Sequence, residues 1–210
     1  IGASPEITQG ECNESDLTRL WPRKMPAELL NDKARLLLFA GRLSEQKGIL
    51  PLLVNLEQLL VDFPDLHLVV LGDGPLSTRA RQKTVGMHAG SRIHLLGWQP
   101  NVRQWMIQSE LILVPSIYEG MPNVVLEAMS VGRPAVCFDV EGIRELLGKE
   151  SPVQIAQPGN WTEFNQSVRQ LIGDRQMARK IGQNNVERAL KTFQLDEQLL
   201  KYEQLYLESI

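Results

Sequence analysis

The chain has 210 residues, of which 43% are hydrophobic and 22% are charged, and its formal net charge is −3. This length is sufficient for one large domain with a buried core, and the composition is that of an ordinary globular protein. The lack of a basic excess argues against nucleic acid as the main partner. The two cysteines, Cys12 and Cys137, lie far apart and predict neither a disulfide framework nor a zinc site.

Residues 1–34 carry little hydrophobic pattern and are interpreted as a lead-in. Beyond them, short apolar runs alternate with stretches of helical periodicity, which predicts an α/β fold with a doubly wound parallel sheet. About six strands are expected, at residues 36–40, 66–71, 93–96, 111–114, 134–140 and 153–156. Helices are expected around 52–60, 76–88, 102–109, from 123, at 142–147 and from 161, with breaks at 173–174 and 193–194 and a last amphipathic helix at 195–206.

The apolar runs are continuous rather than alternating, which indicates that helices cover both faces of the sheet. Right-handed crossovers bring the carboxyl ends of parallel strands to one edge, where open α/β sheets bind their ligands. Each loop with chemically distinctive residues follows a predicted strand. We therefore expect these loops to meet at one ligand site.

The loop after the fourth predicted strand holds two carboxylates, Glu119 and Glu127, with seven residues between them. A helix is expected to begin at Pro122 or Asn123, and its free N–H groups would form an anion site suited to phosphate. Carboxylates before this helix end and one turn into it can accept hydrogen bonds from sugar hydroxyls. Gly120 lets the backbone approach a ligand closely.

An ordinary explanation exists for each of these residues alone. A single helical glutamate such as Glu127 is more often solvated, or paired with the helix dipole, than bound to a ligand. The combination with Glu119, Gly120 and Pro122 after a buried strand favours the ligand site.

The loop after the first predicted strand, residues 41–48, contains the cations Arg42 and Lys47. It is not a Walker loop, because no Gly precedes the Lys and no Ser or Thr follows it. Two cations at the ligand edge suit a diphosphate, although two ordinary surface charges would look the same in isolation.

Two further turns give weaker signals. Residues 72–75, Gly-Asp-Gly-Pro, are explained by a tight turn from strand to helix, and a direct contact with the ligand is the alternative. Trp98, after Gly97, either borders a nucleobase or packs on neighbouring helices. His67 and His94 fall within predicted strands and are interpreted as structural residues.

Together these pieces resemble glycosyltransferase family 4, retaining nucleotide-sugar transferases of the GT-B fold. The resemblance is carried by the Glu119 to Glu127 element and by shorter matches at residues 41–43, 47–48, 72–75, 96–98, 127–129 and 132–134. Residues 141–145 depart from it, since Glu-Gly-Ile-Arg-Glu stands where the family commonly has Gly-Gly-Ile-Pro-Glu.

The resemblance implies that this chain is the C-terminal, donor-binding half of a two-domain enzyme. Residues 35–195 would form the nucleotide-sugar domain, 1–34 a linker from a missing N-terminal domain, and 196–210 a helix that crosses back to it. The enzyme would transfer a hexosyl group, with retention, from a UDP-sugar, or alternatively a GDP-sugar, to an acceptor held by the missing domain. No metal is expected, and the isolated chain is expected to be inactive.

The resemblance also assigns roles. Arg42 and Lys47 would bind the donor diphosphate and support the leaving group, Glu119 would contact hydroxyls of the transferred sugar, and Glu127 would hold the ribose. These three catalytic residues (Arg42, Lys47 and Glu119) would be joined by donor-binding positions at Gly41, Gly97, Trp98, Gly120, Met121, Pro122, Asn123 and Val124.

Two other functions remain open at this point: a non-catalytic nucleotide-sugar-binding module and a GT-B sugar-nucleotide epimerase, whose own base-binding and catalytic residues are not matched. The expected acceptor is a lipid-linked or polysaccharide sugar. Because no signal peptide or long apolar run is visible, a cytoplasmic location is expected, with peripheral attachment to the inner membrane face through the missing domain as a variant.

Overall fold

A computed structural model describes Pro26, Leu29, residues 33–148 and residues 151–193. Parallel strands in this part of the chain form one six-stranded sheet in the order β3-β2-β1-β4-β5-β6. The strands are β1 (Arg35–Ala40), β2 (Leu66–Leu71), β3 (Ile93–Gly97), β4 (Leu111–Val114), β5 (Ala135–Phe138) and β6 (Ile155–Ala156).

Helices connect these strands and continue after the last one. They are α1 (Ile49–Asp62), α2 (Ser77–Val85), α3 (Val102–Gln108), α4 (Asn123–Ser130), α5 (Ile143–Leu147), α6 (Trp161–Gly173) and α7 (Arg175–Thr192). In α1 the buried residues recur at the spacing of one helix face, which fixes that face against the sheet. They are Ile49, Leu52, Leu53, Leu56, Leu59 and Leu60.

Successive residues of a strand point to opposite faces, and the core follows this alternation. Leu37 and Phe39 of β1 belong to one buried cluster with α1, α2 and α6. Leu36 and Leu38 belong to a second cluster with α3, α4, α5 and the end of α7. Helices therefore cover both sheet faces, and the predicted doubly wound α/β fold is confirmed.

The largest differences from the sequence prediction are at element ends. The fifth strand was expected at 134–140 but is limited to Ala135–Phe138, because Pro134 has no N–H for the ladder and Asp139 begins a turn. The sixth, expected at 153–156, is two residues long, and its first half is a 3₁₀ turn. The helix expected at 76–88 ends at Val85.

The predicted break at 173–174 is confirmed, since Asp174 ends α6 and its side chain accepts a hydrogen bond from the Met177 N–H at 2.9 Å to cap α7. The break at 193–194 is confirmed on its described side, where α7 ends at Thr192. The expected helices at 195–206 and 196–210, and most of the 1–34 lead-in, lie outside the described residues.

Cys137 lies in β5 as a buried free thiol, and burial raises its pKa. In the part of the chain described here, every helix is too short or too polar to cross a bilayer.

Candidate functional site

The strand order reverses between β1 and β4, which lie side by side while the chain leaves them toward opposite ends of the sheet. Open α/β sheets bind ligands at the carboxyl ends of strands at such a reversal. The loops there are the β1 loop, residues 41–48, and the β4 loop, residues 115–122. These are the two loops that the sequence predicted to meet.

The two loops are joined residue by residue. The Ile117 N–H donates to the Gln46 carbonyl at 2.8 Å, and the Gln46 side-chain amide donates to the Tyr118 carbonyl at 3.0 Å. Gly48 has a φ of 68°, and a Cβ on it would lie 2.1 Å from the Pro115 carbonyl oxygen. Only glycine allows this approach, so the backbone fixes the register of the two loops.

This register brings Lys47 and Glu119 together in an ion pair between the Lys47 Nζ and the Glu119 Oε1. Their side chains are 24% and 8% exposed, respectively, so the carboxylate is largely withdrawn from water. The Lys47 stem passes Gly41, since a Cβ on Gly41 would lie 4.0 Å from the Lys47 Cδ. Two predicted catalytic residues are therefore neighbours and already neutralise each other.

Helix α4 begins at Asn123, as predicted, and Pro122 occupies the capping position rather than the first turn. No side chain caps this end, and the Val125 N–H donates to the Pro122 carbonyl at 2.9 Å. An uncapped helix start carries partial positive charge and unpaired N–H groups. The end of α4 can therefore receive an anion.

A cleft of about 390 Å³ opens beside these loops. Five predicted site residues line it: Gly41, Arg42, Trp98, Val124 and Glu127. Trp98 is 73% exposed, so it does not pack on neighbouring helices, which was the alternative considered for it. Arg42 and Glu127 are also exposed, and the three side chains are free to meet a ligand.

The other predicted residues adjoin the cleft without lining it. Gly97 supports its floor, because its carbonyl accepts a hydrogen bond from the Gly72 N–H at 2.8 Å. Lys47, Glu119, Gly120, Met121, Pro122 and Asn123 form a second patch on the β1 loop, the β4 loop and the start of α4. Contact between the Lys47 stem and Gly41 connects the two patches.

Three residues contribute to this edge without having been predicted as site residues. Gln46 joins the β1 and β4 loops, and nothing in the sequence signalled this. Gln99 lines the cleft and donates to the Leu96 carbonyl at 3.0 Å. Asp73, for which a turn was the favoured interpretation and a ligand contact the alternative, also lines the cleft.

The Asp73 carboxylate accepts hydrogen bonds from the Ser77 hydroxyl and, at 2.7 Å, from the Gly74 N–H. These bonds, the one from Ser77 foremost, hold the pKa of Asp73 below its ordinary value. An aspartate in a strand-to-helix turn is a recognisable signal for such bonds, although not for a place in a cleft.

Residues 141–145, which differ from the family pattern, border the β4 loop, since a Cβ on Gly142 would lie 2.4 Å from the Gly120 carbonyl oxygen. Arg144, where the family pattern has proline, forms a bidentate ion pair with Asp139 at 2.6–2.9 Å. His67 and His94 lie in β2 and β3 as predicted, with their rings 5.3 Å apart, and neither lines the cleft.

Comparison with known proteins gives one matching family model, described as glycosyl transferases group 1, over residues 22–188. A Campylobacter jejuni relative, N-acetylgalactosamine-N,N'-diacetylbacillosaminyl-diphospho-undecaprenol 4-alpha-N-acetylgalactosaminyltransferase, is 27% identical over 191 residues, which are 90% of this chain and 51% of that protein. The chain spans about half or less of the length of the curated relatives it matches.

Solved structures show the same fold. HepE from Anabaena, in complex with UDP-glucose, has a TM-score of 0.78 at 23% identity over 94% of this chain and 54% of HepE. The C-terminal domain of a glycosyl transferase group 1 family protein, LpcC from Francisella tularensis, has a TM-score of 0.71 at 18% identity over 85% of this chain and 98% of that domain. The predicted resemblance to a GT-B C-terminal domain is confirmed, and the chain belongs to the glycosyl transferases group 1 family.

Proposed function

We propose that this chain is the donor-binding half of a retaining hexosyltransferase that uses a nucleoside diphosphate sugar. The observation that carries the proposal is the cleft at the strand-order reversal, where Arg42, Trp98 and Glu127 are exposed next to the Lys47–Glu119 pair. Such a donor has a base, sugar hydroxyls and a diphosphate. An aromatic ring suits the base, a carboxylate suits the hydroxyls, and two cations with an uncapped helix end suit the diphosphate.

The nucleoside would occupy the cleft. The exposed Trp98 ring offers a surface for the base, with the Gly97 backbone beside it. Glu127 lies one turn into α4 on the same cleft and can accept hydrogen bonds from both ribose hydroxyls.

The diphosphate would lie over the start of α4, with Arg42 and Lys47 as its cations. Hydrogen-bond donors that are fixed in place before the reaction stabilise the negative charge of a diphosphate most effectively. The same groups would stabilise the departing nucleoside diphosphate, so the proposal includes no metal.

Glu119 would select the sugar. Lys47 binds its Oε1, which fixes the carboxylate and leaves Oε2 for sugar hydroxyls, with the Gly120 to Val124 backbone alongside. A UDP-sugar is favoured because HepE, which shares the fold, was solved with UDP-glucose, and a GDP-sugar is the second choice.

The acceptor would be held by an N-terminal domain, so the isolated chain would bind donor without transferring sugar. A lipid-linked or polysaccharide sugar is proposed as acceptor, since the Campylobacter relative is named for a diphospho-undecaprenol substrate. Such an acceptor suits a cytoplasmic enzyme that reaches the inner membrane face through its N-terminal domain.

Calorimetry with UDP, GDP, ADP and their sugars tests the donor site. We expect UDP to bind and the Glu127→Ala change to weaken UDP but not 2′,3′-dideoxy-UDP, because only the ribose hydroxyls are lost in the second ligand. Glu187→Ala, at another exposed helical glutamate, is the matched control. Failure of every nucleoside diphosphate to bind would refute the proposal.

The role of Glu119 is tested by Glu119→Gln, which keeps the side-chain shape and removes the charge. UDP-sugar affinity should fall more than UDP affinity, and an equal loss of both would contradict sugar selection. Turnover of a labelled donor by the full-length protein, with the anomeric configuration of the product determined by NMR, separates a retaining transferase from a binding module.

A further inference from the structure

A second cavity, of about 580 Å³, lies at the opposite edge of the sheet, where the strands begin. Its charged lining residues are Lys33, Arg35, Arg133, Arg175 and Arg179, together with Asp65 and Glu110. Five cations thus face two carboxylates, in a protein whose net charge is −3. The donor cleft lies at the other end of β1, about 17 Å away at the usual rise per residue.

The two carboxylates of this cavity are already engaged. Glu110 accepts from the Arg35 Nε at 2.9 Å, from the Arg35 Nη2 at 2.8 Å and from the Arg175 Nη2 at 3.2 Å. Asp65 lies 3.5 Å from the Arg35 Nη1. Arg35 thereby uses both carboxylates, and little negative charge is left for the remaining arginines.

Among the arginines that line the cavity, Arg133 and Arg179 form no ion pair with a residue that the structure describes. Arg133 donates from Nη2 to the Ile107 carbonyl at 2.5 Å, but its Nε is buried without a hydrogen-bond partner. Arg179 is exposed to solvent on α7. An unpaired buried donor on a charged side chain is costly, and an anion bound close to the guanidinium would offset part of that cost through its charge.

The two guanidinium groups also influence each other. Burial lowers the pKa of Arg133; the charge of Glu110 opposes this effect, and the charge of Arg179 adds to it. Like charges that converge on one cavity repel each other unless an anion lies between them. The burial of Arg133 and its repulsion from Arg179 therefore both favour an anion in the cavity.

We propose that this cavity binds a small phosphate-bearing anion through Arg133 and Arg179, with Arg175 at its rim. Guanidinium groups match phosphate geometry with paired N–H donors, and they are not lost to deprotonation. The cationic residues line a concave cavity rather than a flat surface, which favours a free small ligand over a membrane. This site is independent of the proposed donor cleft, because the two share no lining residue.

Titration with inorganic pyrophosphate, followed by the arginine Nε–Hε NMR signals, tests the site at residue resolution. The Arg133 signal should shift, because an anion bound at the guanidinium changes the electrostatic environment of its Nε–H. The donor cleft is read separately through Arg42, so an unmoved Arg42 signal would weaken the proposed function and leave the Arg133 result intact.

The variant pair is Arg179→Gln against Lys180→Gln, which removes the same charge from the next residue of α7 outside the cavity. We expect Arg179→Gln to weaken pyrophosphate binding at Arg133 about tenfold, the loss of roughly one charge-assisted hydrogen bond. Lys180→Gln should have little effect. An Arg133 signal that does not move, or equal affinities in the two variants, would overturn the proposal.

Discussion

The two edges of the sheet are built in different ways. At the carboxyl edge, loops are joined backbone to backbone, with Gly48 against Pro115 and Gly72 against Gly41. At the amino edge, the Arg35–Glu110 ion pair is joined to α7 by a second ion pair, from Arg175 to Glu110, and to α6 by a hydrogen bond from Arg35 to the Ile172 carbonyl. Backbone joining leaves side chains such as Arg42, Trp98 and Glu127 available for a ligand, whereas the amino edge uses most of its charges internally.

The difference also bears on what each edge can recognise. Both edges have an arginine without an ion pair, but among the described residues only the cleft at the carboxyl edge combines an exposed aromatic ring with a carboxylate, Glu127, that forms no ion pair. Nucleoside recognition is therefore expected at the carboxyl edge alone. The amino edge is suited to a bare anion.

The largest effect is expected for Gly72→Ala. Gly72 has a φ of 122°, and a Cβ there would lie 1.9 Å from the Gly41 carbonyl oxygen, so backbone must move. We expect a loss of about 3 kcal/mol or more in the free energy of unfolding, measured with urea. Gly86→Ala, where a Cβ meets nothing within 4 Å, is the control and should be nearly neutral. A neutral Gly72→Ala would show that backbone contact does not hold these loops.

Glu110→Ala tests the amino edge in the same way. Arg35, with a side chain 14% exposed, would lose its bidentate partner, and the free energy of unfolding should fall by about 2 kcal/mol. Glu45→Ala breaks the pair with Arg79, which is exposed on both sides, and should cost less than about 1 kcal/mol. Comparable losses in the two variants would contradict a structural role for the Arg35–Glu110 pair.

Arg42→Gln separates binding from folding. Since Arg42 is exposed and lines the cleft, the change should weaken UDP about tenfold and leave the thermal midpoint unchanged. Arg79→Gln removes an exposed charge that does not line the cleft and should leave UDP affinity as it is. Calorimetry and thermal unfolding of both variants make the measurement.

The smallest expected effect is a pH dependence at Asp73. Its pKa in the folded protein lies below the ordinary 3.8, because Ser77 and the Gly74 N–H bind the ionised form. The stabilisation is complete above the ordinary pKa and is lost as pH falls through the lowered value. Between pH 5 and 2, wild type should therefore lose more stability than Ser77→Ala. Parallel curves for the two proteins would contradict this.

Much of the fold was predictable because the apolar runs of β1, β2, β4 and β5 are buried on both faces, so that burial and sequence pattern agree. The ends of β5 and β6 could not be predicted, because Pro134 and the 3₁₀ turn at 152–154 shorten strands whose apolar sequence is continuous. Glu119 and Lys47 were predicted at one site from the sheet edge alone. Their ion pair, and the Gln46 bridge that aligns it, depend on distances between loops 72 residues apart in the sequence.

The central claim is that the carboxyl edge recognises a nucleoside diphosphate, and site-resolved NMR during UDP titration tests it most directly. The Trp98 indole signal and the amides of Gly41, Val124 and Glu127 should shift together and saturate at one UDP concentration, while pyrophosphate alone should leave Trp98 unmoved. UDP binding that leaves all four signals in place, or that moves only residues at the amino edge, would contradict the account.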